Sequence, residues 1–281
     1  MRFSQMPYER PDIEAIRKEA EEIIRLMEEA RSAQEQLEAH KAFTAMRKKV
    51  SDMATLAHIR NTMNTEDPFY EQERAFMDEN MPLLEELQYR FYKALVSSPF
   101  RSELEKSLGS LLFLNAELSL KAFDPAIIPD LQEENRLVSQ YRKLLASAQL
   151  EFQGQVLNLS QLAPYMESPD RETRKGAFAK RAEFFMANAE ELDEIYDKLV
   201  KVRDQMAKKL GFRNFVELGY IRLGRNCYGP EKVARFRDQV KRHLVPITVK
   251  LREEQRGRLG LDRLTYIDIP LYFKEGNPKP E

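Results

Sequence analysis

The chain has 281 residues, 42% hydrophobic and 32% charged, enough apolar material for one large or two ordinary folded domains. Its 45 basic and 46 acidic side chains nearly cancel to a formal net charge of −1, so the totals point away from a nucleic-acid partner. A single cysteine, Cys227, excludes an internal disulfide framework and a multi-cysteine zinc knuckle, and a reducing, cytoplasmic setting is the expectation.

Residues 1–11 hold no apolar core of a signal peptide, and no later run approaches the roughly eighteen apolar residues a membrane helix needs. Neither secretion nor a membrane partner is expected. Pro11 and Asp12 open a helix whose apolar positions Ile13, Ile16, Ala20, Ile23, Met27 and Ala30 alternate steps of three and four. The pattern restarts around Ser32, with Ala39, Phe43, Met46, Val50, Met53 and Ala57 as a second seam, and the two helices should pack as an antiparallel pair. A third helix begins near Pro68, carries Phe69, Phe76, Leu83, Leu87, Phe91 and Leu95, should kink at Pro82, and ends at Pro99.

Residues 104–123 are apolar on more than one face and predict a single buried helix. Pro125 and Pro129 separate it from a helix over 130–148. Two β-prone runs flanking Gly154, over 150–157, predict a small hairpin, followed by a short helix over 160–166.

The chain is organised around what comes next. Ser168 suits an N-cap, Pro169 the first helical position, and Asp170 and Glu172 the positive end of a helix dipole. The stripe Phe178, Phe185, Leu192, Ile195, Leu199, Val202 and Met206 then predicts one long buried-face helix, stopped by Lys208, Lys209 and Gly211. At about 1.5 Å per residue it would span about 60 Å. Gly211, Gly219, Gly224 and Gly229 make the next segment rich in turns. Pro230 opens a last helix, with Val233, Phe236, Val240, Leu244, Ile247 and Leu251 as its buried face, Pro246 bending it and Gly257 and Gly260 closing it. Residues 265–273 have strand character.

Chemistry is harder to find. His40, His58 and His243 lie far apart in sequence, no His-Glu-x-x-His occurs, and all three read as surface or packing residues. Cys227 sits near Arg225 and Tyr228, but no neighbouring histidine would activate it. The acidic pairs Glu21-Glu22 and Glu133-Glu134 read as solvated charge, and no glycine-rich phosphate loop is present. Tyr220, Arg222, Arg225 and Tyr228 fall together in the glycine-rich turn region and could hold a peptide carboxylate or carbonyl. The competing reading of the same arginines is ion pairing between helices.

Three stretches carry a resemblance: Arg171-Glu172-Thr173-Arg174-Lys175-Gly176-Ala177, then residues 208–220 from Lys208 to Tyr220, then Arg222-Leu223-Gly224-Arg225. Together they resemble oligoendopeptidase F and the PZ-peptidase branch of the thimet oligopeptidase-like zinc peptidases, a likeness that extends over essentially the whole chain. The resemblance implies a mainly α fold: a multi-helix scaffold of long antiparallel helices with one or two small β-hairpins, the front half of a two-lobed, channel-forming peptidase. Residues 1–148 would be an N-terminal helical domain. Residues 149–281 would hold the hairpin, the long helix and the beginning of the catalytic half.

Complete members of that family are about twice as long and hydrolyse short peptides with a zinc ion held by His-Glu-x-x-His and a later glutamate. These 281 residues contain no such motif. The resemblance therefore assigns no catalytic residue and no metal ligand to this chain. Zinc would belong to the complete enzyme, the isolated chain should be inactive, and its partners would be short peptides and the missing C-terminal catalytic half. The alternative is a non-catalytic helical module that binds a peptide or a protein.

Overall fold

The computed structural model describes residues 5–278. The fold is mainly α, with one two-stranded antiparallel sheet among the described residues. The chain forms two compact units, each built from two stretches of sequence: Met1–Ser139 with Lys198–Cys227, and Gln140–Asp197 with Tyr228–Glu281.

The first unit opens with α1 (Ile13–Glu29), α2 (Ala33–Met63) and α3 (Pro68–Val96), which pack on one another. Asp12, Ser32 and Asp67 cap their N-termini, each side chain accepting backbone N–H groups that have no partner inside the helix. The predicted seams meet in one core, where the Phe43 and Phe91 rings stack face to face at 4.0 Å. Gln36, buried among them, donates to the Met27 carbonyl at 2.9 Å and accepts from Ser98, so this polar side chain is satisfied. A strap before α1 is tied to α3 by Tyr8 and Arg10, both donating to the buried Glu73.

The predicted helix over 104–123 is two helices, α4 (Arg101–Leu108) and α5 (Ser110–Lys121). Gly109 separates them at φ +85° and ψ 143°, a conformation open to glycine and closed to residues with a Cβ. Leu104, Phe113 and Ala116 are buried, but Leu111 and Leu114 are exposed, so the multi-faced apolar pattern overstated the burial. A 3₁₀ turn (Pro125–Ile127) leads into α6 (Ile128–Ala146). Phe123, Ile127 and Leu131 form a second core of this unit with Met206, Ala207 and Leu218. The last of these comes from α10 (Phe215–Arg222).

The second unit contains the hairpin β1 (Leu150–Phe152) and β2 (Gln155–Leu157), in register Leu150 to Leu157. Gln153 and Gly154 both take positive φ between them, the two-residue turn whose twist matches that of the strands. Helix α7 (Leu159–Met166) starts with a capping box from Asn158 and Gln161. It packs on α8 (Arg171–Ala187) around Leu150, Leu157, Leu162 and Ala177.

The single long helix is interrupted. It starts after Asp170, which caps it in place of Ser168, and breaks at Asn188 before α9 (Ala189–Lys209). The Asn188 amide side chain turns back onto the Phe184 carbonyl at 2.8 Å, offering that acceptor a local partner. Of its predicted stripe Ile195, Val202 and Met206 are buried, while Phe178, Phe185, Leu192 and Leu199 are half-buried.

The last helix departs further from expectation. It comprises α11 (Pro230–Gln239), a π-helical turn (Val240–Leu244) and α12 (Val245–Leu259), closed by Gly260 in the left-handed region. Gly257 lies within it. Pro246 has no N–H for the preceding turn, and the helix widens immediately before it, the Val245 N–H reaching back to the Val240 carbonyl. Phe236, Leu244, Ile247 and Leu251, predicted to be buried, are all more than half exposed.

Residues 265–273 form turns rather than a strand. Their backbone is held by buried side chains. Gln255 donates to the carbonyls of Asp268, Ile269 and Leu271, and the Asp268 carboxylate accepts from Thr265, Arg171 and Arg174. No helix among the described residues is long and apolar enough to cross a membrane.

Candidate functional site

Helix α3 in the first unit has buried residues at Met77, Leu87, Phe91 and Leu95, and between them it presents Glu85, Gln88, Tyr89 and Tyr92 to a solvent-connected cavity of about 510 Å³. The other walls are Ser119 of α5, Ala122 and Phe123 just after it, Leu131 of α6, and Ile221, Arg222 and Gly224 at the end of α10. Tyr89 and Phe123 lie with ring centroids 5.5 Å apart and planes tilted by 46°.

Below the cavity lining sits a charged cluster that the sequence had placed on the surface. Glu134 is buried, and its two oxygens each accept a guanidinium N–H at 2.6 Å, one from Arg203 and one from Arg222. Both guanidinium groups also lie 5.7 Å from the Phe215 ring centroid. Burial opposes the Glu134 charge, but the hydrogen bonds and charges of Arg222 and Arg203 outweigh it and hold the carboxyl below its ordinary range. One turn earlier on α6, Asp130 accepts from Lys209 at 2.6 Å and Gln205 at 2.8 Å. Glu133, by contrast, pairs with Arg136 three residues on, as a solvated charge does. The distinguishing signal was register: Glu134 lies three residues from both Leu131 and Leu137, on the helix face that packs, and Glu133 does not.

Glu85 is held differently. Its side chain is exposed and lines the cavity. Among the described residues no hydrogen bond or ion pair to it forms. Partial desolvation at the cavity wall raises its carboxyl above the ordinary range; Arg222 draws it down and Glu134 pushes it up.

Of the four residues singled out from the sequence, Arg222 lines the cavity and is paired to Glu134. Arg225 lies with its guanidinium 4.6 Å from the Tyr220 ring centroid, and its backbone N–H donates to the Tyr220 carbonyl at 3.0 Å. Tyr228 belongs to the other unit and is 42% exposed. The residues sequence reasoning missed are Glu85 and Glu134, which lie 77 or more residues before the turn region that opens at Gly211.

The histidines stay apart. His40 is half-buried beside Phe91, 6.1 Å between centroids; burial first, then Arg47, lowers its pKa. His58 lies 3.4 Å from Arg74, and His243 is exposed in the π-helical turn. Among the described residues no three His, Cys, Asp or Glu side chains converge where they could hold a metal ion.

Residues 3–123 match the peptidase M3 N-terminal domain, and residues 164–278 match peptidase family M3. Three solved structures overlay the entire chain. A protein assigned as an oligoendopeptidase F shares 49% identity at a TM-score of 0.98, and PZ peptidase A, solved with an inhibitor, shares 50% at 0.98. An oligoendopeptidase F assignment from Bacillus anthracis shares 42% at 0.96. The chain covers 50%, 50% and 52% of those three. Oligoendopeptidase-F from Enterococcus faecium, at 14% identity and a TM-score of 0.64 over 92% of this chain and 55% of its own, shares the fold. No match was found among curated proteins. The chain belongs to peptidase family M3, alongside oligoendopeptidase F and PZ peptidase, and it spans about half the length of those solved relatives.

Proposed function

We propose that this chain is the N-terminal, channel-forming part of a cytoplasmic zinc metalloendopeptidase that hydrolyses short peptides, and that its own task is to confine and position the substrate. The observation that carries this reading is the combination of 49–50% identity over the whole chain with coverage of only half of each relative. Residues 1–148 would serve as the helical domain, and residues 149–281 as the start of the catalytic half.

Zinc does not fit the residues present: His40 and His58 lie eighteen residues apart on α2, His243 lies in the π-helical turn, and among the described residues no ligand cluster forms. No step of hydrolysis is therefore assigned to a side chain of this chain. The ligands and the general base would come from polypeptide that follows residue 281 in a full-length form. The exposed apolar face of Phe236, Leu244, Ile247 and Leu251 supports this arrangement. A helix with a regular apolar stripe gains stability by covering it, and the second half of the relatives' length is the natural cover.

Tyr220, Arg222, Arg225 and Tyr228 would position the peptide, with Arg222 acting at the cavity wall. The test is steady-state kinetics of the full-length enzyme on a quenched short peptide. Replacing Arg222 by lysine keeps the charge on Glu134 but loses the planar fork, and KM should rise several-fold with kcat retained. An unchanged KM would remove the positioning role.

A further inference from the structure

We infer that the cavity of the first unit binds a cationic group of a peptide, with Glu85 as its counter-charge and Tyr89, Tyr92 and Phe123 as its aromatic wall. The peptide class rests on the family M3 reading; the recognition of a cation does not.

Charge accounting around the cavity sets Glu85 apart from its acidic neighbours Asp130 and Glu134. Glu73 is served by Arg10 and Tyr8, Asp130 by Lys209 and Gln205, and Glu134 by two arginines at once. Glu85 itself lines the cavity and receives no hydrogen bond or ion pair among the described residues. An exposed carboxylate on a cavity wall, left without a donor, is stabilised by a cation that reaches it.

The surroundings favour a cation over an anion. Arg222, the nearby positive group, already donates to Glu134 at 2.6 Å, and Glu85 itself would repel an incoming carboxylate. Tyr89, Tyr92 and Phe123 line the cavity, and aromatic faces attract ammonium and guanidinium groups. About 510 Å³ suits one end of a peptide or one basic side chain and excludes a folded domain.

An amino terminus and a lysine or arginine side chain offer the same chemistry, and matched probes separate them. The folded chain, its helix content checked by circular dichroism, is titrated calorimetrically with n-butylammonium and with n-butanol. It is then titrated with three short peptides: one with a free amino terminus and no basic side chain, one N-acetylated with a lysine, and one N-acetylated with norleucine in its place. At least a tenfold preference for n-butylammonium over n-butanol is expected, and one of the two cationic peptides should exceed the norleucine peptide by a similar factor. Glu85→Gln should erase both preferences with the fold intact, because Glu85 holds no hydrogen bond that the fold needs. Tyr92→Leu should weaken binding several-fold. Equal binding of charged and neutral probes, no binding of either, or a preference that survives Glu85→Gln would overturn the cation site. A preference for n-butylammonium without one for either cationic peptide would leave the cation site standing and overturn its peptide class alone.

Discussion

Arg174 and Asp268, ninety-four residues apart in sequence, meet inside the second unit as an ion pair at 2.8 Å, both almost wholly removed from solvent. Arg171 adds two further donors to the same carboxylate at 2.9 and 3.0 Å, and Thr265 caps it through its N–H and hydroxyl. Arg174 also donates to the carbonyls of Ile267, Ser168 and Pro169. The start of α8 and the turns over 265–273 are thereby fastened together.

Replacing Asp268 by asparagine should leave the Arg174 guanidinium buried without a counter-charge, a loss of about 3–5 kcal/mol. Burial works against the Asp268 charge, yet the hydrogen bonds from Arg171, Thr265 and Arg174 outweigh it and hold the carboxyl far below the ordinary range. A depressed folded pKa stabilises the native state above the unfolded pKa of about 3.9 and is lost as pH falls toward the folded value. The stability gap between wild type and Asp268→Asn, measured by urea unfolding, should therefore be constant above about pH 5 and shrink below about pH 4. A gap independent of pH through that range would contradict the assignment.

Gly109 provides a test free of side-chain contacts, since a Cβ added there meets nothing within 4 Å. Any cost of Gly109→Ala is backbone strain at φ +85°, expected at about 1–3 kcal/mol. Asparagine, which tolerates the left-handed helical region, should not rescue the site because ψ is 143°. Equal melting temperatures for wild type and Gly109→Ala would show that α4 and α5 can join as one helix.

The cluster around Glu134 should behave as a unit. Removing the carboxylate with Glu134→Ala strands two arginines, and a double-mutant cycle with Arg203→Ala should give a coupling of about 0.5–3 kcal/mol. Additive single effects would mean that the two guanidinium groups are solvated independently of Glu134.

Local chemistry made much of this fold readable in advance. Asp12 and Ser32 cap where side-chain type and the restart of the apolar period placed them, and the middle of each seam is buried as its spacing required, with Ile13, Ile16, Ala30 and Met53 half-buried. Gln153-Gly154 makes the tight turn that the β-prone runs called for. What escaped depends on partners far away in sequence. The apolar stripe of residues 236–251 reads as core because a pattern records which face seeks cover, not whether the covering element is present. Glu134 looked like a surface acid because its environment is built by α9 and α10, and Glu85 gains its place from a cavity wall shared with α5, α6 and α10. Residues 265–273 carry β-branched and aromatic residues suited to a strand, but Asp268 and Gln255 claim the backbone for turns.

The exposed stripe yields its own expectation. Leu244→Asp combined with Ile247→Asp should change the stability of the 281-residue chain by no more than about 0.5 kcal/mol and reduce its binding of a hydrophobic dye. In a full-length protein the same pair should be strongly destabilising, because there the face is expected to be covered. Equal tolerance in both would mean that nothing docks on it.

The most direct measurement is turnover of a quenched short peptide by the pure 281-residue chain with zinc added, beside a form extended to the full length of its relatives. Cleavage sensitive to a chelator is expected from the extended form and none from the chain alone. Chelator-sensitive turnover by the 281 residues by themselves would contradict the division of labour proposed for the two halves.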